Sequence, residues 1–498
     1  MRSIKNIFPL LALLLCISCV TEREDENSFY LNQISRIQLN LNQQIFFSED
    51  LQQPLNVDVR YFDESNRPLF SNVNIPFELL LTDSLINSPV LDLSKPGQYQ
   101  LRAAFPTRER TFSNDIEIQV VGPEYIQEIR LDFSNETRNS YAVANNNTMD
   151  FTIKVFGPDG EITGLEEQIF RNLELKIGNQ SSQRLENITI SEVGSLDVVA
   201  SVFGVESNKL KIESRENIIY PVRELPIIFH VFSNGPNISA AQMNNQITNA
   251  NAAFSNNIRT SFKSNVNAVN NYFRYRLADR DPEGQVMELT GYNRIEVPSD
   301  FNADSPEYLQ TKFDAMWDPN RYINVFIESI GFAAGFAYLP TLSNPAIPGL
   351  QVNSNPDPVI NYPYSISLDY RFAIELNNPN SHVLAHELGH YLGLYHTFHN
   401  CGTGDFCDDT LPHSITNLSG NTVFNNNRRG CLGDNFISTN IMDYVIEVDN
   451  FTFDQRERMQ AVYENAIFFP RQENQTSRMS PIRKGELDPS IKPIICEF

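Results

Sequence analysis

The sequence predicts a multidomain protein in which two all-β sandwiches precede a larger α/β domain. A chain of 498 residues is too long for a single hydrophobic core. Residues 28–220 alternate short runs of apolar and polar residues with turn signals, which is typical of antiparallel β-sheets. After Tyr220 the pattern changes to a buried strand and amphipathic helical segments, which is typical of an α/β domain.

The β-rich region contains one pattern twice, with an offset of about 95 residues. This repetition predicts two immunoglobulin-like sandwiches, over residues 28–122 and 123–220. The corresponding apolar positions are Ile34, Ile37 and Leu39 with Ile126, Ile129 and Leu131; Leu55, Val57 and Val59 with Phe151, Ile153 and Val155; and Tyr99, Leu101 and Ala103 with Leu196, Val198 and Ala200.

Residues 221–470 form the predicted α/β domain. Residues 226–232 are almost all apolar, as in a strand that is buried on both faces. Ser239 and Gln242 have the spacing of a capping box, which predicts that a helix begins there. The polar, proline-containing residues 471–498 predict a C-terminal tail.

Residues 386–396 read His-Glu-Leu-Gly-His-Tyr-Leu-Gly-Leu-Tyr-His, and they indicate a metal site. On a helix, His386 and His390 lie one turn apart on the same face, where both can bind one metal ion. Glu387 lies about 100° around the helix from His386, beside the metal, where a water-activating base belongs.

The third histidine of this segment requires a break in the helix. In a continuous helix, His396 would point away from the metal. Gly393 stands between His390 and His396, and glycine ends a helix in the left-handed conformation without a steric penalty. The alternative is an amphipathic core helix with surface histidines. Six of the seven histidines fall between residues 382 and 413, which favours the metal site.

This segment resembles the HExxHxxGxxH zinc signature of the metzincin metallopeptidases, and the chain beyond it resembles their pappalysin branch. The resemblance covers about residues 220–470. The residues that carry it beyond the zinc segment are Thr397-Phe398, Gly404-Asp405, Asp409-Thr410, Asn440-Ile441-Met442-Asp443-Tyr444, Phe451-Thr452-Phe453-Asp454-Gln455 and Arg458-Met459.

The resemblance implies a metzincin-type zinc peptidase domain over residues 221–470. In that family a methionine underlies the zinc site in a tight turn, and Met442 matches it. Tyr444 matches a tyrosine that lies near the metal and stabilises the oxyanion. Two further strands are predicted at residues 322–327 and 335–339. The second would be the edge strand with which a substrate strand pairs.

The predicted chemistry follows from this ligand set. His386, His390 and His396 would bind Zn²⁺ and leave a fourth position for water, whose pKa the metal lowers. Glu387 would take the proton of that water and pass it to the leaving amine. Tyr444 would help zinc to stabilise the oxyanion.

The loop after the zinc segment is rich in oxygen ligands. Asp405, Asp409 and Thr410 are candidates for a calcium site, since relatives in the family keep an acidic loop here and some bind calcium in it. A solvated acidic loop is the alternative. The chain departs from the family's usual Asp-Thr-Pro, because Leu411 separates Thr410 from Pro412.

Four cysteines lie outside the N-terminal segment: Cys401, Cys407, Cys431 and Cys496. In an exported protein they are candidates for disulfides, and three pairings are open. The alternative is a second zinc site with cysteine ligands, although no CxxC pair is present.

The N-terminus has the pattern of a targeting segment. Residues 1–18 begin with basic residues and continue with an apolar stretch too short to span a bilayer. The end of this stretch resembles the lipobox of bacterial lipoproteins, with Cys19 as the lipidated residue and 19–27 as an acidic tether. The resemblance implies anchoring at the bacterial envelope, in the outer membrane or at the cell surface. Ordinary secretory cleavage near Ser18 is the alternative.

The sequence thus predicts an exported, lipid-anchored zinc endopeptidase acting on protein or peptide substrates. A formal charge of −23 disfavours nucleic acid as a partner. One alternative is a surface adhesin or binding lipoprotein with a catalytically idle zinc domain. Another is zinc-dependent hydrolysis of a non-peptide amide. The sequence leaves open whether residues 20–220 act as a removable pro-segment.

Overall fold

The computed structural model describes residues 33–48, 53–54, 57–69, 77–82, 84–86, 90–91, 95–105, 111–344, 347–374, 382–415, 425–471 and 482–497. The predicted signal peptide over residues 1–18, Cys19 and the tether over residues 19–27 lie outside these ranges. Within them, no helix combines the length and the apolar character needed to cross a membrane.

The first β-rich region forms two main sheets. Its strands are β1 (Arg36–Leu41), β2 (Ile45–Phe47), β3 (Gln53–Pro54), β4 (Val57–Phe62), β5 (Pro68–Leu69), β6 (Glu78–Leu81), β7 (Ser84–Ile86), β8 (Val90–Leu91), β9 (Gly97–Phe105), β10 (Thr111–Phe112) and β11 (Ile116–Val121). One sheet has the order β1-β4-β5, and the other has the order β2-β11-β9-β6-β7 with β10 beside β9. Alternate residues such as Ile37 and Leu39 of β1 are buried in a common core with Leu101 and Ile118.

The second β-rich region repeats this order. Its elements are a 3₁₀ turn (Pro123–Tyr125), β12 (Glu128–Phe133), β13 (Tyr141–Val143), β14 (Thr148–Met149), β15 (Phe151–Gly157), β16 (Gly160–Glu161), α1 (Glu166–Arg171), β17 (Leu173–Ile177), β18 (Gln180–Ser182), β19 (Ile188–Thr189), β20 (Gly194–Val202), β21 (Val205–Glu206) and β22 (Leu210–Arg215). One sheet is β12-β15-β16, and the other is β13-β22-β20-β17-β18 with β21 beside β20. The same strand order therefore underlies both copies of the sequence pattern.

The chain divides into two compact units. The first unit contains the described residues of Met1–Arg130, Ile153–Glu174 and Ala200–Asn208. The second unit contains those of Leu131–Thr152, Leu175–Val199 and Lys209–Phe498. The division falls within the predicted second sandwich, residues 123–220, and the second unit holds the whole histidine segment.

A mixed sheet organises the second unit. Its strands are β23 (Arg223–Phe232), β24 (Phe273–Leu277), β25 (Tyr292–Ile295), β26 (Ile323–Glu328), β27 (Ala333–Ala337), β28 (Ile366–Asp369) and β31 (Ile494–Glu497), and a separate hairpin contains β29 (Asn427–Arg429) and β30 (Asn435–Ile437). The order is β24-β23-β26-β28-β27-β31, with β25 also paired to β23. Strands β23, β24, β25, β26 and β28 run parallel to one another, whereas β27 is antiparallel to both β28 and β31.

The apolar run predicted as a buried strand lies in β23. Residues 225–232 are all buried, because β23 has partners at both edges and covered faces. The strands predicted at residues 322–327 and 335–339 correspond to β26 and β27. The small residues around Ala333 show no clear alternation, which explains why β27 begins two residues earlier than predicted.

Helices α2 (Ala240–Phe254), α3 (Tyr308–Ala315), α4 (Tyr370–Ile374), α5 (Val383–Tyr391) and α6 (Phe453–Asn465) complete the second unit. The predicted capping box begins α2: the Ser239 hydroxyl accepts from the Gln242 amide, and the Gln242 side chain accepts from the Ser239 amide. The apolar face of α2 packs into the same core as Leu384 and Leu388 of α5. This core therefore supports the histidine helix from below.

The predicted C-terminal tail over residues 471–498 does not hold for the described residues 482–497. Ile482, Leu487 and Ile491 pack against the main core of the second unit. The Lys484 ammonium donates to the backbone carbonyls of Phe313, Asp314 and Met316. Beyond these anchors β31 joins the sheet. Apolar residues spaced among polar residues and prolines gave no periodic signal, although tertiary packing holds them.

Candidate metal centre

The histidine helix ends where the glycine predicts. His386 and His390 lie on one buried face of α5. The Gly393 amide donates to the His390 carbonyl at 2.8 Å, and the Leu394 amide donates to the Gly389 carbonyl at 2.9 Å. With φ of +89° at Gly393, these two bonds form a Schellman cap. The cap turns the chain back so that His396 approaches the helix.

The structure brings the three predicted ligands together. The Nε2 atom of His396 lies 3.1 Å from Nε2 of His390 and 3.1 Å from Nε2 of His386. Three zinc-bound nitrogens with tetrahedral angles and bonds of 2.0–2.1 Å would be separated by about 3.3 Å. The trio therefore has the spacing that a single zinc ion requires.

In His386 and His390, a hydrogen bond at Nδ1 fixes the orientation of the ring and therefore of Nε2. His386 Nδ1 lies 2.7 Å from the Ile441 carbonyl, and His390 Nδ1 lies 2.8 Å from the Leu394 carbonyl. A carbonyl can only accept, so each Nδ1 carries the hydrogen and each Nε2 presents a lone pair. Burial also lowers the pKa of His386 to about 4 and holds those of His390 and His396 well below their ordinary values. Neutral imidazoles are the form that binds metal.

Met442 lies directly beneath the helix. A Cβ at Gly389 would lie 2.4 Å from the Met442 Sδ, so this close contact requires glycine in the helix. The Asn440 side chain accepts from the Met442 amide at 2.9 Å, and the Thr397 amide donates to the Met442 carbonyl at 3.1 Å. The methionine turn thus fixes both α5 and the chain that follows His396.

Asp443 of the predicted motif and Arg428, which sequence reasoning missed, are buried and hold this turn in place. Arg428 holds Asp443 with two guanidinium nitrogens at 3.0 Å and donates to the Tyr444 carbonyl at 2.7 Å. Burial alone would raise the pKa of Asp443, but His413 and Arg428 hold it well below its usual range. The permanent negative charge on Asp443 therefore keeps Arg428 in place behind the metal centre.

Glu387 lies beside the trio under a glycine of β27. The carboxyl is fully buried, and burial raises its pKa to about 8, an effect that the Cys496 thiol partly offsets. A cation on the three imidazoles would lower this pKa again. A Cβ at Gly335 would lie 2.7 Å from Glu387 Oε1 and 2.8 Å from the Ser367 carbonyl oxygen. Gly335 was missed as a site residue, although glycine inside a predicted strand signals such a close approach.

Tyr444 also lies at the centre. Its ring centroid is 5.0 Å from that of His396 and 5.9 Å from that of His386. Its hydroxyl interacts with the Cys496 thiol. The phenol therefore faces the place where the three nitrogens converge.

The acidic loop is held by hydrogen bonds. Asp405 Oδ1 accepts from the Thr410 hydroxyl at 2.6 Å and from the Cys407 amide at 3.1 Å. The two oxygens of Asp409 accept from the Thr452 hydroxyl at 2.6 Å and the Asp454 amide at 3.0 Å. These bonds tie the loop to the start of α6. Calcium binding by the loop stays a prediction from the sequence.

The four candidate cysteines have different fates. Cys401 and Cys431 form a disulfide, whereas Cys407 and Cys496 are free and buried. Of the four disulfide candidates, Cys407 and Cys496 are therefore not paired. Cys407 lies in the acidic loop, whereas Cys496 lies in β31, the last strand of the second unit.

Cys496 joins the histidine trio, which sequence reasoning missed. Its Sγ lies 3.5 Å from His396 Nε2 and 3.6 Å from His390 Nε2. Among the His, Cys, Asp and Glu side chains that the structure describes, His386, His390, His396 and Cys496 form the one group that could share a metal ion, with ligand atoms within 4.8 Å of one another. The donor set of three imidazoles and a thiol fits zinc.

Comparison with known proteins agrees with this centre. The Peptidase_M43 family model, described as pregnancy-associated plasma protein-A, matches residues 308–464. An extracellular metalloprotease of Podospora anserina is 28% identical over 204 residues, which cover 39% of this chain and 65% of the relative. One of Neurospora crassa is 33% identical over 149 residues, which cover 28% of this chain and 47% of the relative. The chain thus spans less than two thirds of each of these relatives.

One solved structure similar to this chain is mature mirolysin of Tannerella forsythia in complex with a cleaved peptide. It is 22% identical with a TM-score of 0.38, and the match covers 49% of this chain and 93% of that chain. The family match over residues 308–464 contains the three histidines of the centre, so this part of the chain is similar to the pappalysin metallopeptidases.

Proposed function

We propose that this protein is an exported zinc-dependent endopeptidase that hydrolyses peptide bonds of proteins. The observation that carries the proposal is the convergence of three imidazole Nε2 atoms beside the buried carboxyl of Glu387. His386, His390 and His396 would hold the zinc ion. Extracellular metalloproteases of two fungi share sequence with this region, which supports the same class of activity.

Zinc held there would act as a Lewis acid on the scissile carbonyl. Glu387 takes a proton from the attacking water and delivers it to the leaving amine. The small Gly335 lets the carboxyl approach closely, so that its position is set by β27. The Tyr444 hydroxyl donates to the oxygen on which negative charge develops.

Substrate would bind as an extended strand along β27. In this structure β31 pairs with β27 through backbone hydrogen bonds, which supports the proposal that a substrate strand binds along this edge. Pairing through the backbone is largely independent of side chains, whereas alternate side chains set the preference. A substrate held in this way would place a peptide bond beside Glu387.

Export is supported by the names of the fungal relatives and by the Cys401–Cys431 disulfide, since disulfides persist in oxidising compartments. We further propose that Cys19 carries lipid and anchors the protein at the bacterial envelope. Labelling of cells with a tagged fatty acid tests this. Wild-type protein takes up label and Cys19→Ala does not, whereas equal labelling of the two would refute the anchor.

The enzymatic proposal is tested on purified, zinc-loaded full-length protein. Zinc content and hydrolysis of an unstructured protein are measured with and without a chelator. Because Cys496 contacts the trio, the same assays are run on Cys496→Ser. Glu387→Gln is compared with Glu283→Gln, an exposed carboxylate that serves as the matched control.

We expect one zinc ion per chain in every variant. Hydrolysis should stop with the chelator. It should be at least about a hundredfold slower in Glu387→Gln but not in Glu283→Gln. If no zinc-loaded variant, including Cys496→Ser, hydrolyses proteins or peptides, the enzymatic proposal is refuted. Binding of glycans or proteins to the sandwich regions would then support the surface-binding alternative.

A further inference from the structure

We infer that the C-terminal strand of this chain is an internal inhibitor, in which β31 occupies the substrate edge and Cys496 supplies a fourth ligand to the metal. The inference rests on the proposed function. The segment that blocks substrate access to the metal centre is then β31, rather than the β-rich regions.

The backbone pairing carries the first part of the inference. β31 runs antiparallel to β27 with Ala337 opposite Ile494, Phe336 opposite Ile495 and Gly335 opposite Cys496. The other edge of β27 is already paired with β28. With β31 in place, neither edge of β27 can receive a substrate strand.

The position of the sulfur carries the second part. Zinc–sulfur bonds of 2.3 Å and zinc–nitrogen bonds of 2.0–2.1 Å at tetrahedral angles place sulfur and nitrogen about 3.6 Å apart. The observed distances from Cys496 Sγ are 3.5 Å and 3.6 Å to two of the imidazoles. The thiol therefore lies where a tetrahedral zinc ion has its fourth ligand.

A four-ligand set of this kind closes the metal. Catalytic zinc sites keep one position open for water or substrate, whereas closed tetrahedral sites are structural. Cys496 also interacts with Tyr444 and lies beside Glu387, the two groups that we assign to oxyanion and proton handling. One side chain thus blocks the metal, the base and the tyrosine together.

The segment before β31 holds the strand in this position. Ile482, Leu487 and Ile491 pack on the core, and Lys484 donates to three backbone carbonyls. Ile360 and Lys484 also form a β-bridge. Anchoring so close to the site gives the thiol a high effective concentration at the metal.

Opening the site requires ligand exchange alone. On opening, β31 would leave β27, and the Cys496 sulfur would take up a proton as water replaced it at the metal. No oxidant or reductant takes part. Proteolytic removal of the C-terminal residues would make the opening permanent.

Cobalt substitution tests the inference without relying on activity. In full-length protein loaded with Co²⁺, a thiolate ligand gives a near-ultraviolet charge-transfer band, and the visible bands report that the imidazoles hold the metal. Cys407→Ser is the matched control, because Cys407 is the other free, buried cysteine of the described chain. We expect the charge-transfer band in wild type and in Cys407→Ser and its loss in Cys496→Ser, with visible bands in all three.

Zinc-loaded Cys496→Ser should hydrolyse peptides at least about tenfold faster than wild type, because it removes an intramolecular ligand. If Cys496→Ser does not fold, Cys496→Ala replaces it in both measurements. Absence of the charge-transfer band in wild type, or its persistence in the Cys496 variant, overturns the inference. Peptide hydrolysis at equal rates without a sulfur band would leave the proposed function standing, whereas failure of every variant to bind metal would refute both.

Discussion

The metal centre and the acidic loop are two buried polar clusters in the same unit, and their donor atoms are arranged in opposite ways. In the centre, hydrogen bonds hold the Nδ1 side of His386 and His390, while the Nε2 atoms converge. In the loop, hydroxyl and amide donors already bind Asp405 and Asp409. Both clusters are buried and polar, so burial and polarity do not identify a metal site. The convergence of Nε2 lone pairs distinguishes the metal centre from the loop.

The same contrast separates the two free cysteines. Cys407 and Cys496 are both buried, and burial raises the pKa of both thiols. Cys407 lies near Asp405 and Asp409, whose negative charges oppose formation of a thiolate. Cys496 faces imidazoles that would hold a divalent cation. Its neighbours, rather than its burial, are the reason that we propose it as a ligand.

The largest expected effect is the loss of hydrolysis, without loss of zinc, when Glu387 is replaced. Glu387→Gln should lower peptide hydrolysis by about a hundred- to ten-thousand-fold, because it removes the base. Zinc content should stay at one ion per chain, since Glu387 is not a ligand. Rates are measured in the Cys496→Ser background with zinc quantified in the same samples. Loss of zinc together with activity would show that Glu387 helps to hold the metal.

A smaller effect is expected from a change at Gly335 of β27, which contacts the Glu387 carboxyl. Gly335→Ala places a Cβ 2.7 Å from Glu387 Oε1 and 2.8 Å from a backbone oxygen. Displacement of the carboxyl should lower kcat about ten- to hundredfold, with zinc retained. Gly235→Ala is the control, because its Cβ would meet no atom closer than 3.5 Å. Wild-type kcat in Gly335→Ala would disprove the close approach.

The next prediction concerns the acidic loop and the pH dependence of stability rather than catalysis. Burial raises the pKa of Asp405 to about 6, although the Thr410 hydroxyl and the Cys407 amide lower it in part. The folded state therefore binds the proton more tightly than the unfolded chain, whose aspartates titrate near 3.9. The stabilisation is complete at low pH and is lost as the pH rises through 6.

Between pH 5 and pH 8 this loss should amount to about 1 kcal/mol of unfolding free energy that Asp405→Asn does not show. Denaturant unfolding at both pH values measures it, with the exposed Asp304→Asn as control. Calcium at the loop would keep Asp405 ionised. If added calcium abolishes the pH dependence of the unfolding free energy, the loop is a second metal site. The contrast between the metal centre and the acidic loop would then be wrong.

The smallest effect concerns the link between the loop and α6. Thr452→Ala removes the cap of α6 and the bond to Asp409, and it should lower the free energy of unfolding by about 1–2 kcal/mol. Zinc content should not change. Thr248→Ala, on the exposed face of α2, should be close to neutral. A fall in zinc content in Thr452→Ala would mean that the loop supports the metal centre.

The sequence predicts the histidine centre well because its geometry is local. Helical periodicity sets His386 and His390, and one glycine sets the return to His396. Gly335 and Cys496 could not be placed in the same way. Cys496 lies 106 residues from His390, and only the pairing of β31 with β27 brings them together. A short apolar run after a polar, proline-containing stretch gives no periodic signal for that pairing.

The central claim is that three imidazoles hold one zinc ion. X-ray absorption at the zinc edge, on the zinc-loaded full-length protein, tests it most directly. We expect one zinc ion per chain with three imidazole nitrogens and one sulfur in its coordination shell, and no bound zinc in His390→Ala. A wild-type shell with fewer than three imidazoles, or an unchanged shell in His390→Ala, would contradict the account.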